Sequence, residues 1–128
     1  MITRVRSAGV FCRDQKAAKE FWTEKMGFDL IQDVPMDPSN PDTGPRWIAV
    51  RAPGDDTVLV LFTPEGQEDR IGQFSNLVFD CDDVEKTYDD LSSKGVEFPT
   101  KPVKEFWGWW ATFKDNDGNE YGLGVQGE

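Results

Sequence analysis

The chain contains no histidine. That absence removes imidazole as a general base, as a metal ligand and as the partner of a serine nucleophile. Cysteine is nearly as scarce: two residues, Cys12 and Cys81, cannot form a disulfide framework. Each ends an apolar run and reads as a buried, reduced thiol. Arg13 adjoins Cys12, whereas Asp80 and Asp82 flank Cys81 and act to raise its pKa. Positive charge is also in short supply. Fourteen Lys and Arg stand against 24 Asp and Glu, a net charge of −10 that argues against nucleic acid and anionic membranes as partners. No stretch approaches the ~20 apolar residues needed to cross a bilayer. The opening Met1-Ile2-Thr3-Arg4-Val5-Arg6 enters strand-like sequence without an apolar core of the signal-peptide kind, so the expected location is the cytoplasm. Phosphate loops, paired CxxC motifs and basic stripes are missing too.

What is present suits one globular domain: 128 residues, 38% apolar and 30% charged. Within it lies an internal repeat. The first copy runs from Ser7 through Cys12 and Asp14, then Gln15 to Met26, then Gly27-Phe28. The second runs from Asn76 through Cys81 and Asp83, then Val84 to Lys94, then Gly95-Val96. Asp14 and Asp83 suit helix N-caps, since a carboxylate accepts from the free amides of a first turn. Gly27 and Gly95 stand where a helix wants a left-handed residue to end it. Ala17, Ala18, Phe21, Trp22 and Met26 make an apolar face at helical spacing, as do Val84, Thr87, Tyr88 and Leu91.

Strands are expected at 28–34, 46–52 and 58–63, with the proline-rich 35–45 as a long loop. In the second half they are expected weakly at 97–103, then at 109–114 and 120–126. Asp115-Asn116-Asp117-Gly118-Asn119 reads as the hairpin turn between the last two. Each half is therefore β-α-β-β-β, with antiparallel strands and one helix on the outer face. Module one covers 1–65, a linker 66–72, and module two 73–128.

The two modules, the strand–Asp–helix–Gly-Phe opening and the closing Phe113-Lys114-Asp115-x-Asp117-Gly118-Asn119 resemble the vicinal oxygen chelate superfamily of glyoxalases, bleomycin-resistance proteins and extradiol dioxygenases. The resemblance covers essentially the whole chain. It implies an α+β fold in which two tandem modules form a curved mixed sheet around a pocket, helices outside, in a homodimer. Metal enzymes of this kind place His or Glu on four strands. The matching positions here are Ser7, Val60, Asn76 and Gly122. Val60 and Gly122 have no donor atom and the other two are weak neutral ligands, so no metal and no other cofactor is expected. Glu120 shares the face of Gly122 but sits ~7 Å along the strand.

Without a metal, the inner face would offer Ser7, Gly9 and Phe11, then Val58, Val60 and Phe62, then Asn76 and Val78. Gly122 and Gly124 alternate with Tyr121, Leu123 and Val125. Glycine inside a strand marks either close approach of another group or a bend. Three of the five tryptophans fall in Glu105-Phe106-Trp107-Gly108-Trp109-Trp110. Only one of Trp109 and Trp110 can face a given side of a strand; the other, with Phe106 or Trp107, is left for a pocket rim or dimer seam, and Trp47 joins them. The candidate ligand contacts are Ser7, Phe11, Trp47, Val60, Phe62, Asn76, Phe106, Trp107, Trp109, Glu120 and Gly122.

The leading expectation is a metal-independent small-molecule binding protein that holds a planar or cationic ligand by stacking and cation–π attraction. The resemblance to bleomycin-resistance proteins implies sequestration without chemistry. Two alternatives stand beside it. One is a glyoxalase-like lyase, isomerase or dioxygenase drawing on Glu120, Glu65, Glu105 or Asp80. The other is a structural dimerisation module. No catalytic residue is assigned.

Overall fold

The computed structural model describes residues 1–125. The chain divides into two units, Met1–Ile71 and the stretch from Gly72 on, each built on a four-stranded sheet.

In the first unit β1 (Ser7–Val10) leads to a helix, α1 (Gln15–Glu20), which continues as a π-helical turn at Phe21–Lys25. Three strands follow: β2 (Asp29–Pro35), β3 (Arg46–Arg51) and β4 (Val58–Leu61), in the sheet order β1-β4-β3-β2. The Asp14 carboxylate caps α1 by accepting from the Lys16 and Ala17 amides, and Gly27 ends the helical stretch at φ 75°. One unbroken α-helix from Gln15 to Met26 is not what forms. The Met26 amide donates to the Phe21 carbonyl at 3.1 Å, a five-residue step. The wider turn coincides with the adjacent Phe21 and Trp22, both of them buried. Their rings meet edge to face at 5.4 Å, and Phe28 closes on Trp22 at 5.2 Å.

The expectation of antiparallel strands holds for β2-β3-β4 but not for β1, which pairs parallel to β4. The helical crossover delivers the chain to the far edge of the sheet. Two reversals then bring β4 back beside β1, pointing the same way. The pairing outlasts β4, which stops at Leu61 rather than Thr63: the Thr63 hydroxyl accepts from the Cys12 amide at 2.8 Å and donates to the Cys12 carbonyl at 2.9 Å.

The second unit repeats the plan with β5 (Phe74–Asp80), α2 (Val84–Ser93), β6 (Val103–Glu105), β7 (Gly108–Lys114) and β8 (Glu120–Gly124), in the order β5-β8-β7-β6. Asp83 caps α2 through the Lys86 amide, and Gly95 follows at φ 89°. Here too the first strand is parallel to the last. The expected strand at 97–103 reduces to an isolated bridge, Glu97 to Lys114, with the real strand starting at Val103. Pro99 and Pro102 lack the amide donors a ladder needs. Strand β8 ends at Gly124; Gln126, the last residue of the expected strand, lies outside the described residues.

Alternation along the strands gives each sheet a helix-covered face and an open face. Under α1 lie Val10, Ile48, Val50, Leu59 and Leu61, all buried. Under α2 lie Ala111, Phe113, Tyr121 and Leu123, with the rings of Phe79 and Phe98 tilted against Phe113 and Tyr88 edge to face with Phe98.

Candidate functional site

The strand registers lay out both open faces residue by residue. On the first sheet Gln32, Ala49, Val60 and Gly9 form one row across β2, β3, β4 and β1. Ser7 opposite Val58 lies on one side of that row, with Arg51 opposite Asp29; Trp47 opposite Val34 lies on the other. Small side chains thus floor the middle, with a tryptophan at one end and an arginine at the other. Trp47 is 37% exposed, while Val60 and Ala49 are buried. Phe11 and Phe62 each follow directly on a strand end and are half-buried.

On the second sheet the rows are Phe74–Glu120–Lys114, Val78–Gly122–Thr112 and Asp80–Gly124–Trp110. Gly122 is where the resemblance puts a metal ligand, and its space is already filled. A β-carbon added there would fall on Trp110 Cη2 and come within 2.8 Å of Cζ2 and 3.2 Å of Val78 Cγ2. The same ring reaches over Gly124, with Cε3 3.6 Å from the corresponding point. Of the two readings left open for these glycines, close approach of another group is the one realised, and the group is an indole of the same chain.

Asn76, the fifth-strand position, sits in an irregularity between Phe74 and Val78, where β5 carries extra residues against β8. Its φ of 66° is left-handed, the sole such value among the described non-glycine residues. Asparagine tolerates that region better than most, and bulges of this kind re-aim side chains.

The other candidates are dispersed. Trp109 alternates with Trp110 and so shares the helix-covered face with Ala111 and Phe113. Phe106 and Trp107 form the tip of the β6–β7 hairpin, 98% and 51% exposed, with their rings 4.9 Å apart and perpendicular. Glu120 lies on the open face between Phe74 and Lys114. Of the aromatic segment, then, it is Trp110 that reaches the open face, a residue absent from the expected contacts, and Arg51 is a second. The signal for both was a further piece of the repeat: Trp47-x-Ala49-x-Arg51 on β3 matches Trp110-x-Thr112-x-Lys114 on β7.

These residues do not fit a metal of the superfamily kind. Val60 contributes no donor, Gly122 is covered by an indole, and Ser7 and Asn76 are neutral. Among the described residues no group of three or more Asp, Glu or Cys side chains gathers to hold an ion.

The buried polar cluster of the second unit lies at the Asp115–Asn119 turn. Asp115 accepts from the Asp117 amide (2.8 Å), the Asn119 amide (3.0 Å), Asn119 Nδ2 (2.8 Å) and the Tyr121 hydroxyl (2.6 Å). Burial pushes its carboxyl above the ordinary value, against the pull of those bonds. Asn119 Oδ1 in turn accepts from the Gly72 amide at 2.7 Å. With every oxygen engaged in holding the turn, this carboxylate is a structural group. Cys81 is likewise not activated: burial raises its pKa, and Asp82 and Asp80 add to that.

The repeated α+β module with an open, donor-poor sheet face defines the class, and comparison with known proteins gives the family. Residues 4–123 match the family model Glyoxalase/Bleomycin resistance protein/Dioxygenase superfamily, and the chain belongs to that superfamily. It is 36% identical over 121 residues to the uncharacterized protein YetH of Bacillus subtilis (strain 168), covering 94% of this chain and 97% of that one. A superfamily member from Sphaerobacter thermophilus DSM 20745 superposes with a TM-score of 0.86 at 29% identity, over 98% of both chains. TnmS3, an antibiotic binding protein from Streptomyces sp. CB03234, superposes with a TM-score of 0.78 at 34% identity, over 97% of this chain and 96% of that one. No helix among the described residues is long and apolar enough to cross a membrane.

Proposed function

We propose that the protein binds a small, flat organic molecule without a metal, holding it against a tryptophan-bearing open sheet face. The observation that carries this reading is the pairing of Trp47 and Trp110 on the open faces with positions that lack metal donors. The exposed Trp47 and Gly9 above buried Ala49 and Val60, and Val78 with Trp110 over Gly122, provide apolar area and ring stacking. TnmS3, at 34% identity, is an antibiotic binding protein, which supports a small-molecule role for this chain as well.

Flatness of the ligand follows from the rings; its charge is a separate matter. A planar or cationic ligand was the expectation, and Glu120 and Asp80 on the second open face suit a cation. The first open face instead presents Arg51. A homodimer belongs to the same reading: the bare aromatic tip at Phe106 and Trp107 is apolar surface of the sort an assembly covers.

The test is a titration of chelator-treated protein with a panel of flat aromatic compounds, followed by tryptophan fluorescence and calorimetry. Saturable one-to-one binding, weakened by Trp47→Ala or Trp110→Ala, is expected. Binding that appears only after a divalent metal is added would overturn the reading.

A further inference from the structure

Arg51 is the unusual cation of the first sheet. Its Nε is buried yet meets no hydrogen-bond acceptor, and no ion pair among the described residues includes its guanidinium. The other charged side chains of this sheet are accounted for differently. Arg46 and Lys19 both bind Asp33 on the helix-covered side, at 2.5 and 2.8 Å. Asp29, the register partner of Arg51, is exposed to solvent. In the second sheet the matching residue, Lys114, reaches Glu97 at 3.6 Å. The repeat therefore places a cation at the same point of each open face and leaves one of the two without a counter-ion.

Arg51 as a whole is only half-buried, so the groups a ligand can reach are the terminal N–H donors of a guanidinium that has no counter-ion among the described residues, while its Nε is covered. Arginine suits a carboxylate, because its planar fork offers parallel N–H groups. Along β3, Arg51 and Trp47 lie on one face four residues apart, about 13 Å at the strand rise. Ala49 lies between them, opposite Val60, with Gly9 beyond. Ala49 and Val60 are themselves buried, so a long, flat ligand on this face spans the accessible Trp47 and Gly9 with one end at Arg51.

Building on the small-molecule binding proposed above, we infer that the first open face takes an elongated aromatic acid, with its acidic group held by Arg51 and its ring system lying toward Trp47. The net negative charge of the chain does not oppose this: recognition is local, and the guanidinium without a counter-ion sets the sign required at that end of the face.

The probes are three isosteric compounds: biphenyl-4-carboxylic acid, biphenyl-4-carboxamide and biphenyl-4-methylamine. Each is titrated calorimetrically into the whole protein, the Arg51→Gln and Arg51→Lys variants, and Lys114→Gln. The acid is expected to bind roughly tenfold or more tightly than the amide, with the amine weakest, as charge-assisted bonding implies. Arg51→Gln should bring acid and amide together, Arg51→Lys should restore part of the gap, and Lys114→Gln should leave it unchanged. In the unsubstituted protein the Arg51 Nε–Hε resonance should move on titration with the acid and not with the amine, a readout that holds even if Arg51→Gln fails to fold. Equal binding of acid and amide, or a preference abolished by Lys114→Gln instead, would overturn the Arg51 assignment while leaving small-molecule binding intact. Failure of all three compounds to bind would overturn both.

Discussion

The indole of Trp110 rests on the bare Cα of Gly122, its Cζ2 atom 2.8 Å from where a β-carbon would stand. The glycine is thus part of how the second sheet presents an aromatic surface. Gly122→Ala should push the ring off β8 and cost about 1–3 kcal/mol of stability, the usual penalty for overpacking. In a Trp110→Ala background the same substitution should cost much less, because the clash is gone. Denaturant unfolding of the four proteins in that cycle measures the coupling.

Trp109 and Trp110 are neighbours in sequence but lie on opposite faces of β7. Trp110→Ala is therefore expected to weaken binding of a flat aromatic ligand. Trp109→Ala should chiefly lower the melting temperature, through lost packing on the helix-covered face. Thermal melts with and without ligand separate the two effects.

The acid limb of stability should trace to Asp33. Burial acts to raise its carboxyl, but hydrogen bonds and charge from Lys19 and Arg46 outweigh this and leave it below the ordinary aspartate value of 3.8. A lowered carboxylate contributes stability that is present above pH 3.8 and lost as pH falls through the folded-state value. Asp33→Asn should flatten the loss of melting temperature below pH 3.8 and lower stability at neutral pH.

Asp115 has the opposite sign. Burial holds it above 3.8, so its contribution is present below that value and declines as pH rises through the folded-state one. Tyr121→Phe removes the 2.6 Å hydroxyl bond to Asp115. It should cost about 1.5–3 kcal/mol, the range for a bond to a charged group, and move the Asp115 titration to still higher pH. NMR titration of the carboxyl carbon checks the shift.

The helix frames were legible in the sequence because their signals are local: Asp14 and Asp83 cap, and Gly27 and Gly95 end at positive φ. The hairpin at Asp115–Asn119 was legible for the same reason. Features that depend on pairing partners were not. The π turn after Glu20 accompanies the burial of two adjacent rings, the parallel β1–β4 pair results from the crossover, and the irregularity at Asn76 is a matter of β5 against β8. At the candidate site, alternation placed Ser7, Val60 and Gly122 on one face of their strands. The expected contacts named Trp109 rather than Trp110, because the parity that decides between them is set by Thr112 standing opposite Gly122. Arg51 drew no notice as a charge closing a strand; its meaning comes from a guanidinium without a counter-ion among the described residues.

The most direct test of the central claim is a calorimetric titration of biphenyl-4-carboxylic acid into protein stripped by chelator, repeated after adding manganese or zinc. Metal-independent binding predicts the same one-to-one affinity in both, reduced by Trp47→Ala. Binding that needs the metal, with tight stoichiometric metal uptake by the protein, would contradict it and return the chain to the metal-dependent side of its superfamily.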